Sequence, residues 1–267
     1  MNILFSFGIP KSGTTFLQMI LNAHPEISCP SEHQFDALAN ELKRVFDQYN
    51  QLITQIDGNT ARQGAATFQS SDMDKLFIQI VKIAAKRGAN SKQVKWYGLN
   101  DNAIIQKVSV YAALFPEAKF ICIVRDPRSV TVSSWHHNIR IHSSLSQKTK
   151  DLNQWSRVVG HIWQRDMIGI HQLSEDPKFG GKLYHCRYED LLSSPVQALR
   201  EICRFLNVDS NEQILNRIIE ATRFDHFTAN PFFREGKTDS WKQELSPSML
   251  QTITNQAGSL MKIYGYL

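Results

Sequence analysis

The sequence predicts an α/β fold: three layers, α/β/α, around a central parallel sheet, built as one domain over residues 1–267. Three observations carry this. Ile3–Phe7 and Lys119–Val124 (KFICIV) are short, β-branched or aromatic, and almost continuously apolar, as strands covered on both faces must be. Lys182–Tyr188 (KLYHCRY) reads as a third strand, with Tyr97–Leu99 as a short fourth. Helical spacing of apolar residues separates them, and strands alternating with helices imply parallel crossovers.

In chain order, the helical patterns are Thr15–Ala23, Met73–Ala85, Ile104–Phe115, Leu152–Leu173 and Pro195–Leu206. The last is preceded by two serines, with proline in its first turn, a helix-start signal. Ile56–Asp72 and Ile141–Asp151 are polar and punctuated by Gly and Ser, and read as irregular loops placed to line a substrate pocket. An apolar share of 42% and a charged share of 21% are those of an ordinary soluble protein. No run approaches the roughly 18 apolar residues of a membrane span. The chain enters its first strand without a basic leader or cleavage site, so the expected location is cytoplasmic, with no membrane partner. This argues against a Golgi-type enzyme acting on secreted proteins or glycans. Cys29, Cys122, Cys186 and Cys203 form no paired or metal-binding motif and are expected to be buried thiols; no metal is expected. The net charge of +5 suits an anionic ligand, but the basic residues form no block or aromatic-interleaved stripe, so nucleic acid is not an expected partner.

The first strand runs into GIPKSGTTFLQMIL, Gly8–Leu21. A turn of small residues opening a helix aims several backbone N–H groups at one point, which suits a phosphate. Ser12, Gly13, Thr14 and Thr15 supply the amides, the threonines add hydroxyls, and Lys11 adds a point charge. Gly8 and Gly13 have the spacing of a P-loop, making the chain P-loop NTPase-like. Yet Thr14 stands where the P-loop lysine belongs. The remaining magnesium-ligand candidate is Asp126, between an arginine and a proline. A second anion clamp follows the strand KFICIV: Arg125 sits at its carboxyl end, where open α/β sheets bind ligands, with Ser133 about two helical turns on.

PKSGTTFL resembles the 5′-phosphosulfate loop of the sulfotransferases that use 3′-phosphoadenosine 5′-phosphosulfate (PAPS), and Arg125 and Ser133 match the spacing of that family's 3′-phosphate clamp. RYEDLLSSP and TRFDHFTANPFFREGKTDSWKQEL resemble two later family segments, so the likeness runs from Phe7 to about Lys242. The resemblance implies PAPS as co-substrate and 3′,5′-ADP (PAP) as product, with Lys11 at the bridging oxygen and Phe16 and Tyr188 beside the adenine. It also implies Thr222 and Phe224 near the nucleotide and Arg234, Glu235 and Gly236 finishing the 3′-phosphate pocket. The Lys-Thr-His stretch of cytosolic members is absent, whereas NAHPEISCPSEHQ resembles tyrosylprotein-type and bacterial members. Glu32 is then the expected base, desolvated by the closed site, with His33 second. A capping role led by Ser31 is the structural alternative for this stretch. Asn100 stands where many relatives carry a sulfate-contacting lysine, with Lys95 upstream as a substitute, and His136–His137 is a candidate acceptor lining. The implied reaction is sulfuryl transfer to a hydroxyl or amine of a small-molecule acceptor, by a monomer or homodimer. The alternatives are a P-loop kinase or nucleotide hydrolase, or a non-catalytic 3′,5′-ADP-binding protein.

Overall fold

In a computed structural model of the chain, the structure describes residues 1–59, 64, 66–141, 151–227 and 238–267. Five strands form one parallel sheet: β1 (Asn2–Gly8), β2 (Ile27–Ser28), β3 (Trp96–Asn100), β4 (Lys119–Val124) and β5 (Leu183–Arg187), in the order β2-β3-β1-β4-β5. The helices are α1 (Thr14–Ala23), α2 (Phe35–Asn59), α3 (Ser70–Ala89), α4 (Val108–Leu114), α5 (Pro127–Arg140), α6 (Leu152–Glu175), α7 (Tyr188–Ser193), α8 (Pro195–Leu206), α9 (Glu212–Ala221), α10 (Trp241–Glu244) and α11 (Pro247–Ile263).

The pleat sorts each central strand between two cores. Ile3, Phe5 and Phe7 of β1, with Phe120, Cys122 and Val124 of β4, point to the layer that holds α3, α4, α6 and α11. Leu4, Ile121 and Ile123 point to the layer of α1, α8 and α9. Both faces are thus apolar, which is why these strands read as continuous runs. The α8 pattern is explained the same way, by Leu199, Ile202 and Leu206 facing the sheet. All four cysteines are free and buried, and burial pushes the Cys29 thiol up to about 12.

Three sequence expectations are corrected. The predicted helix Ile104–Phe115 is a 3₁₀ turn, Asn102–Gln106, followed by the shorter α4; Lys107 has φ −133° and breaks the run. Ile56–Asp72 is largely flanked by helix: α2 continues to Asn59 and α3 starts at Ser70, on an Asp72 capping box. The residues between include 60–63 and 65, and 142–150 of the second loop likewise lie outside the described residues. Nor does Ser31 cap α2. The Phe35 N–H donates to Asp101 Oδ2 at 2.7 Å, so the cap comes from beyond β3.

β1 lies between β3 and β4: the chain builds β2 and β3 on one side of it, then crosses over to build β4 and β5 on the other. Parallel sheets open a crevice outside the strand ends at such a reversal. The Gly8–Thr15 turn, Asn100–Asn102 and Arg125 all lie at that end.

Candidate functional site

The turn after β1 is held in a shape that few residues adopt. Lys11 has φ +74° and Gly13 φ +98°, while the Ser12 N–H donates to the Ile9 carbonyl at 2.9 Å. Gly13 also meets a space limit, since a Cβ there would lie 2.4 Å from Tyr188 Cδ2. The α1 N-terminus has no side-chain cap, so its first amides are left for a ligand. Ser12 is 1% exposed and its Oγ has no hydrogen-bond partner among the described residues. A buried hydroxyl left this way costs about 1–3 kcal/mol unless something else bonds it. An anion seated in the turn answers that cost, so Lys11, Ser12, Thr14 and Thr15 fit a phosphate group.

Arg125, at the end of β4, lies directly beside the turn. Its Nη1 donates to the Lys11 carbonyl at 3.1 Å, and its guanidinium lies 4.3 Å over the Tyr188 ring. Trp163 Nε1 fixes the backbone by donating to the Arg125 carbonyl at 3.0 Å. The first phosphate turn and the strand-end arginine therefore adjoin in one crevice. Tyr188 is its floor: buried against Gly13, under Arg125, and edge-on to Phe16 at 6.1 Å. Burial raises the Tyr188 phenol, with the Arg125 charge opposing. Phe16 is itself a core residue of α1. Ser133 is half-buried on α5. Asp126 is spent locally: it accepts from the Arg128 N–H at 2.9 Å to cap α5 and pairs with the Arg128 guanidinium at 2.7 Å. This gives the aspartate a structural job and weakens the kinase alternative.

Glu32 faces the same crevice. It bridges to Asn100 along β3, and its Oε1 accepts from Asn102 Nδ2 at 2.9 Å. The same Nδ2 lies 3.4 Å from Thr14 Oγ1, so Asn102 joins the carboxylate to the phosphate turn. Sequence reasoning missed Asn102. Its only signal is a polar Asn-Asp-Asn run directly after a strand end. Glu32 is exposed, which corrects the expected desolvation: its segment, between β2 and α2, borders solvent. His33 turns away, stacking on Phe35 at 4.7 Å, and burial lowers its pKa. On α5, burial, then the charges of Lys11 and Arg140, hold the His137 pKa down, and its Nδ1 lies 3.1 Å from Arg140 Nη2. Its neighbour His136 instead ties α5 to α10, with Nε2 2.5 Å from Glu244 Oε2.

One expectation fails on geometry. Lys95 sits before β3, at the far end of the sheet, paired with Glu26 at 2.6 Å. The strand of five residues between it and the site spans about 16 Å, so Lys95 does not replace the lysine absent at Asn100. Asn100 is buried, its Oδ1 accepting from Ser6 Oγ at 3.2 Å and its carbonyl accepting from the His33 N–H at 2.7 Å. Thr222 is buried at the end of α9 with its hydroxyl donating to the Ile218 carbonyl at 2.8 Å. Phe224 begins a 3₁₀ turn, and Arg234, Glu235 and Gly236 lie outside the described residues.

A parallel sheet with an anion-shaped turn at its central strand ends, and a carboxylate hydrogen-bonded beside it, defines an α/β protein with a candidate site for a phosphorylated ligand. Residues 4–212 match the sequence profile of the sulfotransferase family, and the chain belongs to that family. It is similar to protein-tyrosine sulfotransferase 1 of Danio rerio, 24% identical over 81% of this chain and 56% of that protein. It is 26% identical to the Drosophila melanogaster protein-tyrosine sulfotransferase over 81% of this chain and 40% of that one. The chain thus spans about half the length of such curated relatives. Among solved structures, the sulfotransferase domain from the curacin biosynthetic pathway superposes with a TM-score of 0.59 at 20% identity, covering 96% of this chain and 97% of that one. A mouse sulfotransferase complexed with PAP gives 0.62 at 14% identity, covering 98% and 85%. At these identities the superpositions show a shared fold.

Proposed function

We propose that this chain transfers a sulfuryl group from PAPS to a hydroxyl, with Glu32 as general base. The observation that carries it is the joining of the Lys11–Thr15 turn to Arg125 on one side and, through Asn102, to Glu32 on the other. Bound PAPS supplies a sulfuryl group activated on a 5′-phosphate, and PAP-bound relatives of the fold support that choice of donor. The turn amides with Ser12, Thr14 and Thr15 hold the phosphosulfate end. Arg125 and Ser133 hold the 3′-phosphate, with Arg234, Glu235 and Gly236 completing that pocket and Phe16, Tyr188, Thr222 and Phe224 on the nucleotide side.

Lys11 meets the negative charge that grows on the phosphate oxygen as the S–O bond breaks. Glu32 takes the acceptor proton as the new S–O bond forms, and Asn102 holds its carboxylate toward the turn. Positioning and charge stabilisation do most of the work, as in phosphoryl transfer. With asparagine at position 100, Lys11 and the turn amides carry the charge that a lysine there would share.

The sequence favours a small-molecule hydroxyl or amine as acceptor. Likeness to protein-tyrosine sulfotransferases supports a tyrosine phenol on a polypeptide instead. A phenolic hydroxyl satisfies both. The test is label transfer from radiolabelled PAPS to tyrosine peptides, simple phenols, aliphatic alcohols and amines in parallel. Labelling of phenols or tyrosine peptides, with none of the amines, is the expected result. Labelling confined to amines, or none with any acceptor, would overturn the reading.

A further inference from the structure

The two edges of the sheet are not alike. At one end, β2 is two residues long, too short to template a neighbour. At the other, β5 has five residues, LYHCR, with no proline to block pairing. In a parallel ladder, alternate residues bond the same neighbour. The Phe120 N–H donates to the Lys182 carbonyl, so the even-numbered residues of β5 turn their backbone groups to β4 and the odd-numbered ones turn theirs outward. Among the described residues, neither Leu183 nor His185 has a backbone hydrogen bond on that outward side. Natural sheets ordinarily cover or blunt such a strip of donors and acceptors.

The strip lies in a groove of about 750 Å3 between the two helical layers. One wall comes from the ends of α6 and α11, with Ser174, Glu175 and Tyr264; the other comes from the α8 side, with Ser194, Gln197 and Glu201. A strand with its side chains takes roughly 160 Å3 per residue at sheet spacings, so the groove matches about five residues, the length of β5. Tyr264 is 7% exposed, yet its hydroxyl has no hydrogen-bond partner among the described residues. The same holds for Nε2 of His185, whose ring lies edge-on to Tyr264 at 5.4 Å. Buried polar atoms left this way are costly unless a ligand bonds them.

Charge narrows the choice of ligand. Among the described residues lining the groove, the carboxylates Glu175, Asp190 and Glu201 outnumber one guanidinium, Arg187. Burial pushes the His185 imidazole down to about 4, so it adds no charge at neutral pH. The pleat then sorts the two walls. Tyr184 points to α8, its hydroxyl 3.2 Å from Glu201 Oε2, while His185 points to Tyr264. A residue laid beside Tyr184 therefore meets Glu201, and one laid beside His185 meets Tyr264 and the exposed Ile263.

We propose that the groove along β5 binds an extended segment of a partner polypeptide as a sixth strand, with lysine or arginine at alternate positions and apolar residues between them. Backbone pairing with Leu183 and His185 supplies the affinity, and Glu201 and Tyr264 read the alternation.

The test is fluorescence anisotropy of labelled KVKVKV and EVEVEV peptides on the full chain, together with hydrogen exchange at β5. KVKVKV is expected to bind with a dissociation constant below about 1 mM, and EVEVEV roughly tenfold or more weakly. Glu201→Lys and Glu175→Lys are each expected to weaken KVKVKV by roughly fivefold or more, whereas Glu41→Lys, the same charge change on α2, leaves it unchanged. Glu175 is exposed at the end of α6, so its variant keeps the fold even if loss of the Tyr184–Glu201 contact does not. Bound KVKVKV is also expected to slow exchange of the Leu183 and His185 amides by roughly tenfold. Failure of KVKVKV to bind, equal binding of EVEVEV, an equal loss in Glu41→Lys, or unchanged exchange at Leu183 and His185 would each overturn the proposal. So would protection of those amides that grows with protein concentration in the absence of peptide, which assigns the edge to a second copy.

Discussion

The two sides of the crevice are built differently. On the phosphate side, the turn after β1 is locked from below by Tyr188, from the side by Arg125 and by its own positive-φ residues, and it leaves a buried Ser12 hydroxyl ready to be bonded. On the acceptor side, Glu32 is exposed and hydrogen-bonded by Asn102, and it leads into α2, which soon leaves the core. A phosphate group is bound best by donors already fixed in place, while an exposed carboxylate can adjust to what is brought to it. The difference teaches where damage should be general and where it should be selective.

The largest effect is expected from filling the space beneath the turn. Gly13→Val puts a branched side chain into the Tyr188 ring at a backbone angle valine avoids, and should cost roughly 3 kcal/mol or more. Urea unfolding checks it; a midpoint like the wild type's would show the turn to be far softer than described. Glu32→Gln should next lower turnover by about 10²-fold or more while nucleotide affinity stays within twofold or so. Unchanged turnover would remove Glu32 as the base. Arg125→Ala should weaken 3′,5′-ADP by about 1.5–3 kcal/mol and scarcely alter 5′-AMP. Calorimetry on both ligands decides, and equal losses would break the 3′-phosphate assignment. Asn102→Ala should have the smallest effect, lowering kcat by roughly tenfold with little change in nucleotide affinity. A loss confined to nucleotide binding would move Asn102 wholly to the phosphate side.

The phosphate side was also the more legible in sequence. A turn between a buried strand and a helix is written in neighbouring residues, so Lys11–Thr15 could be read directly, as could Arg125 at the end of KFICIV. The contact between Arg125 and the Lys11 carbonyl could not, because it joins residues 114 positions apart across parallel strands. Asn102 and Asp101 were hidden for the same reason: they act on Glu32, Thr14 and Phe35 through strand order, which short patterns do not encode. Lys95 looked close to the site in sequence, yet a strand separates its two ends by its full length. The end of α2 and the start of α3 were hidden because residues 56–59 and 70–72 place no side chain in either apolar core, so their polar stretch read as a loop.

The most direct test of the account is thermal unfolding with 3′,5′-ADP, 5′-AMP and magnesium-ATP side by side. A ligand at about 100 times its dissociation constant adds roughly 2.7 kcal/mol, enough for a clear shift. The expected result is a large rise with 3′,5′-ADP, a smaller one with 5′-AMP, and loss of the difference between them in Arg125→Ala. A rise with magnesium-ATP and none with 3′,5′-ADP would contradict it.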